Sequence, residues 1–575
     1  MLSPRRRTWW TRRRLLVVGV LGWIAWAGAD VALAAGDLRA ARTSSVAAQG
    51  MVKGDTKALS AASDALRSAA GRFESAHAHL SDTELWPLRF VPVVGRQLVA
   101  VKTLAVAGSD ATATTADALD AAGEDVRAVP RDGLGRIQIL RRVVGAATVA
   151  QHRMSQIDLG PDHGLIQPVG AARVLIGRQL LRARTALDNA VRGLNASLGL
   201  LEGQHRVLLV VANNAEMRAG SGIAGQAGVL STDNGKLTLE SMRPVDDLQL
   251  PAGAVPVPQA LFARWGNFSL TQDLRELFLA PRFDVTAPLA AQMWAQLQGG
   301  SVDAVMLIDP VLLQAVLRVT GPVPAGGQTY DAGTVIPELL HNQYVRNGSE
   351  NTQRQAALGD LARAVFETLS GGGAPLGRLG DALASSAAGR HVMVWSQDPE
   401  SERAWTQIGV GGGLSADSVL VALVNRGANK LDYFVPMKGD VEVHPVAGGS
   451  AVQVHIHMQN DTPPGEPTYV AGPNPGGVGA NEYNGILQVS VPGRAVDVAF
   501  DGLGSPEIDG VDGPTWVIAT PVLLHPGEAK DITLRFRIPR MPTLRIEPAA
   551  RKPGIVWRID GSAAPGDHAH VIALR

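Results

Sequence analysis

The spacing of apolar and polar positions changes three times along the chain. An almost unbroken apolar run fills residues 15–35, and small or apolar residues then recur at intervals of three and four between 59 and 80. Short apolar runs alternate with helical patterns between 201 and 433, and a two-residue period follows. Such periods are typical of packed helices and of half-buried strands. We therefore predict a multidomain α+β protein with parts at 1–35, 36–200, 201–433 and 434–575.

The apolar run at residues 15–35 predicts a transmembrane anchor. As a helix it would be about 31 Å long, close to a hydrocarbon core of roughly 30 Å. Residues 5–14 contain six arginines, and a basic segment directly before a transmembrane helix stays in the cytoplasm. We therefore expect a single-pass cell-membrane protein with a cytoplasmic N-terminus and most of the chain extracytoplasmic. The alternative is a cleaved signal peptide, because Ala32-Leu33-Ala34 resembles a cleavage site, and it exports the chain as well.

The second part is expected to form a helical stalk. Heptad spacing predicts a coiled-coil seam on its first helix, and residues 94–126 predict an antiparallel partner. A third helix is expected at 169–200. We interpret these helices as a spacer or as a surface for homo-oligomerisation. The seam positions are Leu59, Ala62, Leu66, Ala69, Phe73, Ala76 and Leu80.

Polar residues at the end of a buried strand form the first candidate site. The apolar run at 207–212 predicts the strand, and Asn213, Asn214, Glu216 and Arg218 follow it, before a glycine-rich loop. Proteins of the α/β class place ligands at strand ends, where glycine lets backbone approach closely. The alternative is a polar turn in which Asn and Gly only tolerate the bend.

Helices and strands alternate through the rest of the third part, which favours an α/β layered domain. Residues 302–309 predict a buried strand ending at Asp309, and Pro310 suits the first turn of a following helix. Further helices are expected at 335–345 and 353–369, and strands at 392–395 and 419–424.

The fourth part predicts an antiparallel β-sandwich of immunoglobulin-like type. In residues 452–458 and 532–538 apolar side chains alternate with polar ones, as in strands with one buried face. His455 and His457 share a strand face, which suits either one metal ion or an ordinary solvated surface. A Pro/Gly-rich loop covers 463–485, and loops of that length are usually functional.

Composition removes several function classes. Lys plus Arg and Asp plus Glu both number 53, so the net charge offers no case for binding nucleic acid. The absence of Cys excludes disulfides, thiolate metal sites and cysteine nucleophiles. Residues 220–225 have the outer glycine spacing of a phosphate-binding P-loop, but Gln226-Ala227 stands where Lys-Ser or Lys-Thr is required.

Several separated motifs resemble one bacterial envelope family, known only as domain of unknown function 4012. They are Asn-Asn-Ala-Glu-Met-Arg at 213–218, Val-Asp-Ala-Val at 302–305 with Ile-Asp-Pro at 308–310, Thr-Gly-Pro-Val at 320–323, and Asn-Lys-Leu-Asp-Tyr at 429–433. The resemblance spans about residues 205–433 and implies an envelope location without an established reaction.

A weaker resemblance, to the LytR–CpsA–Psr family, implies a mechanism. Members are membrane-anchored phosphotransferases that move glycopolymers from a polyprenyl-pyrophosphate lipid onto peptidoglycan. Arg346 and Arg354-Gln355, after an Asp-bearing strand, resemble the family's Arg…Arg-Gln pattern. Residues 241–246 are similar to its Ser-x-Pro-Arg-Asp segment, with Arg and Pro exchanged.

This second resemblance implies a role for each candidate residue. The catalytic contacts to pyrophosphate would be Arg218, Arg243 and Arg354, since guanidinium groups match phosphate oxygens bidentately. The ligand-binding residues would be Asn213, Asn214, Glu216, Arg346 and Gln355. Asp246 and Asp303 would hold Mg²⁺, a hard cation that takes carboxylate oxygens.

Two hypotheses on function follow. The first is a non-catalytic envelope protein that binds a glycopolymer, a lipid-linked precursor or an envelope partner. The second is a Mg²⁺-dependent phosphotransferase that attaches glycopolymers from polyprenyl-pyrophosphate lipid to the cell wall. The second requires Arg218, Arg243 and Arg354 to converge within about 10 Å beside a carboxylate, because a pyrophosphate must touch them together.

Overall fold

The computed structural model of the chain describes residues 37, 56–128, 133–240, 242–348, 351–371, 374, 376–474 and 478–574. The predicted anchor at 15–35 lies outside them. Within the described residues, no helix is both long and apolar enough to cross a bilayer. Contacts divide the chain into two compact units, one from residues 1–130 and 138–195, the other from 131–137 and 196–575. Long helices come first and sheets follow, so the α+β class is confirmed.

Four long helices begin the described chain. They are α1 Thr56–His79, α2 Pro92–Ala128, α3 Gly133–Ser155 and α4 Gln167–Leu201, with a 3₁₀ helix at Thr83–Phe90. The heptad seam of α1 faces α2, and its positions from Ala62 to Leu80 are buried. Gly108 of α2 leaves room for the ring of Phe73, because a Cβ there would lie 2.8 Å from that ring.

The helix α4 confirms the expected third helix, whereas α3 was not expected. Its fully buried apolar side chains are Ile137, Ile139, Ala150 and Met154. Intervals of eleven and four residues fit whole helical turns, but the interval of two between Ile137 and Ile139 does not, and four such positions in 23 residues are too few to have predicted the helix.

The second unit opens with a mixed sheet in the order β3-β2-β1-β5-β8, with β4 beside β2. β1 and β5 run parallel, whereas β1–β2, β2–β3 and β5–β8 are antiparallel. An Asn234-Gly235 turn joins β2 and β3, with both residues at positive φ. The strands are β1 Gln204–Met217, β2 Gly222–Asp233, β3 Lys236–Leu239, β4 Arg243–Pro244, β5 Ala304–Ile308, a hairpin of β6 Val323–Ala325 and β7 Gln328–Tyr330, and β8 Val392–Ser396.

Helices cover this sheet, which therefore lies between two apolar cores. Leu208, Val210 and Val305 face one core with α7, and Val392 and Val394 face the other with α8. The helices are α5 Gln259–Trp265, α6 Leu274–Leu277, α7 Phe283–Gln298, α8 Pro310–Thr320, α9 Val335–Pro337, a π-helical turn Glu338–Asn342, α10 Gln343–Asn347, α11 Asn351–Ser370, α12 Leu376–Ala388 and α13 Pro399–Gln407.

Two six-stranded sheets follow and share one apolar core. Their orders are β13-β16-β11-β10-β18-β19 and β14-β15-β12-β9-β17-β20. The first comprises β10 Met437–Val446, β11 Gly449–Gln459, β13 Val496–Asp501, β16 Ala529–Pro539, β18 Val556–Ile559 and β19 Ser562–Ala564. The second comprises β9 Ser418–Asn425, β12 Tyr483–Pro492, β14 Ile508–Asp512, β15 Thr515–Leu524, β17 Thr543–Glu547 and β20 His570–Ala573. The short helix α14 Thr468–Ala471 lies between β11 and β12.

The expectation of purely antiparallel pairing was wrong at two places. β10 pairs parallel with β18, and β9 pairs parallel with β17. In both cases a strand near the C-terminus pairs with a strand that ends at or before residue 446. The chain between the two strands is long enough for the crossover connection that parallel pairing needs.

β9 is buried along its whole length, and its two faces enter different cores. Val421 and Leu423 belong to the core between the two large sheets, whereas Ala422 and Val424 belong to the core beneath α7. β9 precedes residue 433 but pairs with β12 and β17, which follow it.

Candidate functional site

The end of β1 leaves the regular ladder and turns its polar side chains into the protein. The register with β2 shifts between Asn213 and Met217, so the intervening residues have no partner on β2. Gly222 makes the return possible, because a Cβ there would lie 2.2 Å from the backbone carbonyl of Asn213. The glycine-rich loop therefore serves close backbone packing at this point.

Arg218 is buried, and its five N–H donors all bond within the protein. Nε donates to the carbonyl of Arg275 at 3.2 Å, and Nη1 donates to the carbonyls of Met217 and Asn425, each at 3.2 Å. Nη2 donates to Glu216 at 3.3 Å and to Glu276 at 3.1 Å. A guanidinium has five donors, so none remains for a phosphate in this arrangement.

Glu216 lies between two cations. Its carboxylate also accepts from Lys430, in a pair that is largely buried on both sides. Burial alone would raise the pKa of Glu216, but Lys430 and Arg218 outweigh it and hold the pKa below its usual value. Glu216 is therefore an ionised, fully partnered group.

Two tyrosines continue the cluster from Lys430 to Arg354. The Arg354 guanidinium carbon lies 5.1 Å from the ring centroid of Tyr344 and 5.0 Å from that of Tyr469, and the Lys430 ammonium lies 5.8 Å from both. Arg354 also donates to the Tyr469 hydroxyl at 2.9 Å. Asn213 donates to the Tyr344 hydroxyl at 2.5 Å, and this hydrogen bond links Tyr344 to β1. Cations over aromatic faces gain modest stabilisation, more when desolvated.

Asp432 joins two motifs that lie far apart in sequence. Its carboxylate accepts the backbone N–H of Met217 at 3.0 Å, the Asn425 amide at 2.9 Å and the Tyr483 hydroxyl at 2.9 Å. Burial raises the pKa of Asp432 and is only partly offset by the buried Arg551 nearby. Residues 213–218 and 429–433 thus form one buried polar cluster.

A second chain of polar contacts runs from Asn214. Asn214 donates to Asp309 at 3.0 Å, and Asp309 accepts from His391 at 2.5 Å while capping α8 through the backbone N–H of Val311. The other ring nitrogen of His391 lies 2.7 Å from Asp567. Burial would lower the pKa of His391, but the two carboxylates raise it to about 10, so the ring is a cation at neutral pH.

The remaining predicted site residues lie elsewhere. Arg243 is exposed on β4, and Arg346 pairs with Glu338 on the protein surface. Asp246 lies 3.6 Å from Arg275, and Asp303 accepts the backbone N–H of Arg206 at 2.8 Å. The side chain of Gln355 lies outside the described residues. The structure therefore brings together Asn213, Asn214, Glu216, Arg218 and Arg354, and it places Arg243, Arg346, Asp246 and Asp303 elsewhere.

Asp246 and Asp303 contact different groups. Asp246 follows β4 and lies 3.6 Å from Arg275, whereas Asp303 directly precedes β5 and accepts the backbone N–H of Arg206. No group of three His, Asp or Glu residues suited to a metal occurs in the described part of the chain. His455 and His457, which both contact Asp531, do not form such a group either.

Residues 202–344 match the family described as "Protein of unknown function (DUF4012)". The DUF4012 segment runs from just before β1 into α10, and it includes the motifs at 213–218, 302–310 and 320–323. The family resemblance is therefore confirmed over these residues, and the motif at 429–433 contacts the segment from outside it. The LytR–CpsA–Psr resemblance is not shown and remains a hypothesis. No curated protein matches the chain.

A groove of about 670 Å³ lies beside the DUF4012 segment's α5 helix, and its other walls are Arg426, which follows β9, and parts of β12, β14 and β15. Arg426 stacks over Phe268, with its guanidinium carbon 4.9 Å from the ring centroid. Arg264 lies across Gly510, where a Cβ would sit 2.3 Å from the guanidinium carbon, and donates to the carbonyl of Val511 at 3.2 Å. No motif in the sequence marks this groove, because its residues come from five separate segments.

Some polar groups of the groove have partners, since Asp509 accepts from the indole N–H of Trp516 at 2.6 Å, but three side chains have none among the described residues. The side chains of Asn267, Asn484 and Glu507 make no hydrogen bond within the described part of the chain, and Glu507 is exposed. This contrasts with the cluster at the end of β1, where donors and acceptors bond mainly to one another. Of the two places, the groove has the hydrogen-bonding capacity to receive a ligand.

Proposed function

We propose that this protein is a non-catalytic component of the cell envelope that binds a segment of glycopolymer in the groove beside α5. Its N-terminal residues anchor it in the cell membrane, with a helical stalk, a central layered domain and a C-terminal β-sandwich outside. The observation that carries the proposal is the set of unpartnered polar side chains around Phe268.

The lining suits a hydroxyl-rich ligand. Asn267 and Asn484 supply both donors and acceptors, Glu507 and Asp509 supply acceptors, and Arg426 supplies donors beside an aromatic ring. Sugar rings present alternating hydroxyl groups around apolar C–H faces, which this combination matches. A volume of about 670 Å³ falls within the usual range for a small-molecule site and holds a few sugar units of a longer polymer.

The alternative, a Mg²⁺-dependent phosphotransferase, has less support. It needs arginine donors that are available to a pyrophosphate, and those of Arg218 bond within the protein. It also needs Arg243 beside Arg218, whereas Arg243 is exposed on β4 at the other side of β2 from β1. Glycopolymer binding is therefore the function to test first.

The test is a binding titration of the detergent-solubilised full chain with oligosaccharide fragments of bacterial wall glycopolymers. Glu507→Gln and Arg426→Ala should each weaken binding about tenfold, because each removes a charge-assisted hydrogen bond. Glu442→Gln and Arg537→Ala are matched controls, since both residues are exposed on the other large sheet, outside the groove. Equal affinity of the groove variants and the controls would refute the proposal, as would no binding of any fragment by the unaltered chain.

A further inference from the structure

The turn between α1 and α2 carries a patch of exposed apolar side chains, which we call the tip (residues 86–94). Trp86 is 56% exposed, Phe90 70%, Val91 44%, Val93 65% and Val94 43%. Trp86 and Phe90 contact edge to face, with ring centroids 4.9 Å apart. An apolar patch of this density on a soluble surface marks a binding site for a protein or a membrane.

The tip is held in place from beneath. Leu85 is fully buried and packs with Ala76, Leu80 and Leu98 in a small core between α1 and α2. Gly95 permits the tight entry into α2, since a Cβ there would lie 2.3 Å from the carbonyl oxygen of Arg89. The exposed side chains are thus presented by a packed turn.

Basic residues border the tip. Arg89 and Lys102 line one shallow groove, and Arg96 is exposed one turn into α2. Burial, together with the charge of Arg89, lowers the pKa of Lys102, which places the two cations close to each other. The sequence of this turn also carries two acidic residues, Asp82 and Glu84, so the three basic residues exceed the acidic ones by one. Aromatic and apolar groups bordered by basic ones are typical of surfaces that lie in an anionic lipid interface.

The position of Asp37 shows which end of the hairpin lies near the proposed anchor. Its carboxylate lies 3.8 Å from the imidazole of His79, the last residue of α1, and residues 80–85 lead from there to the tip. The opposite end of α1, at Thr56, is about 35 Å away along a helix of this length. Only residue 36 separates Asp37 from the proposed span at 15–35, so the distance between residues 35 and 37 is at most about 7 Å. The tip therefore lies at the membrane end of α1.

We propose that the tip inserts into the outer leaflet of the membrane that holds the N-terminal anchor, with Trp86, Phe90 and Val93 in the interface and Arg89 and Arg96 on anionic headgroups. The inference rests on the proposed membrane anchoring. The span and the tip together attach the hairpin of α1 and α2 to the membrane at two points. The second attachment limits the rotation of the hairpin about residue 36.

The absence of native cysteine allows a direct test in the full chain. Val93→Cys, carrying an environment-sensitive fluorophore, is reconstituted into vesicles of phosphatidylethanolamine and phosphatidylglycerol that contain a headgroup-level quencher lipid. Val106→Cys is the matched control, since Val106 is 39% exposed and lies about 20 Å further along α2. Quenching should be several-fold stronger at position 93, and Trp86→Ser with Phe90→Ser should reduce it to the level at position 106.

Flotation of the vesicles separates the two proposals. If the chain floats but position 93 is quenched no more than position 106, the tip insertion is wrong and the anchoring stands. If the chain does not float with the vesicles, both are wrong. In a separate sample the Val93→Cys variant is left unlabelled and treated with an oxidant such as copper phenanthroline. A disulfide between two copies there, together with no quenching of the labelled protein, would show that a second copy covers the tip and would also overturn the inference.

Discussion

His391 shows how burial and charge pairing compete at a single residue. Its side chain is 2% exposed and lies between Asp309, fully buried, and Asp567, which is 48% exposed. Burial disfavours the charged ring, but two carboxylates within hydrogen-bond distance outweigh it. Because the pKa in the folded protein is about 10, above the value of about 6.5 in an unfolded chain, folding is favoured by protonation. This stabilisation is complete below pH 6.5 and is lost as the pH rises toward 10.

Replacing Asp567 with Asn should flatten that pH dependence. The substitution removes one of the two carboxylates that hold the proton on His391 and leaves Asp309 and its helix cap intact. We expect the melting temperature of the unaltered chain to fall by several degrees between pH 7 and pH 10, and that of the variant to fall by clearly less. Asp497→Asn is the control, because Asp497 is exposed and pairs with Arg537 and not with a histidine. Parallel melting curves for the variant and the unaltered chain would contradict this account of His391.

Among the elements, the bulged end of β1 depends most strongly on one side chain, that of Arg218. Arg218 joins β1 to β9 and to the segment at Arg275–Glu276 through bonds to three backbone carbonyls and two carboxylates. Lys has three donors and no planar fork, so Arg218→Lys leaves buried acceptors without partners. We expect the variant to lose about 2–4 kcal/mol of unfolding free energy, measured by urea denaturation.

Arg243→Lys is the matched comparison, because Arg243 is exposed at the edge of the same sheet. It should change the unfolding free energy by less than about 0.5 kcal/mol. If both arginine variants were equally stable, Arg218 would not be the internal tie that its contacts indicate, and a ligand-binding role for it would regain support.

The same elements show how far the sequence determines the site. The apolar run at 207–212 and the polar residues after it were enough to predict a cluster at the end of β1. Its partners were not predictable, because Lys430 and Asp432 are more than two hundred residues away and Ala550, which accepts from Asn214, is 336 residues away. Of these, only residues 429–433 gave a signal, as part of a family motif. His391 and Arg551 are single polar residues beside buried segments, and nothing in their spacing distinguishes them from surface residues.

At the scale of the whole molecule, the two-residue period predicted where strands lie better than it predicted which strands pair with each other. β11 and β16 alternate buried and exposed side chains, and both lie where that alternation indicated. β9 shows no alternation, because both of its faces are buried. The sheet to which it belongs could therefore not be predicted from its own residues. Parallel pairing of β17 with β9 likewise depends on a crossover that spans most of the C-terminal region.

Export of the folded chain is the remaining expectation at this scale, and it follows from the arginine-flanked apolar run before residue 36. Alkaline phosphatase fused after residue 575 should be active in intact cells, because this reporter needs disulfides that form only outside the cytoplasm. The same fusion without residues 1–35 should be inactive, since it lacks the arginine-flanked apolar run on which the expected export depends. The protein itself contains no Cys, so a difference between the two fusions reports on location and not on disulfides within the chain. Activity of a cytosolic reporter in the full fusion, with a silent phosphatase, would place the groove and the tip inside the cell and remove the basis of both proposals.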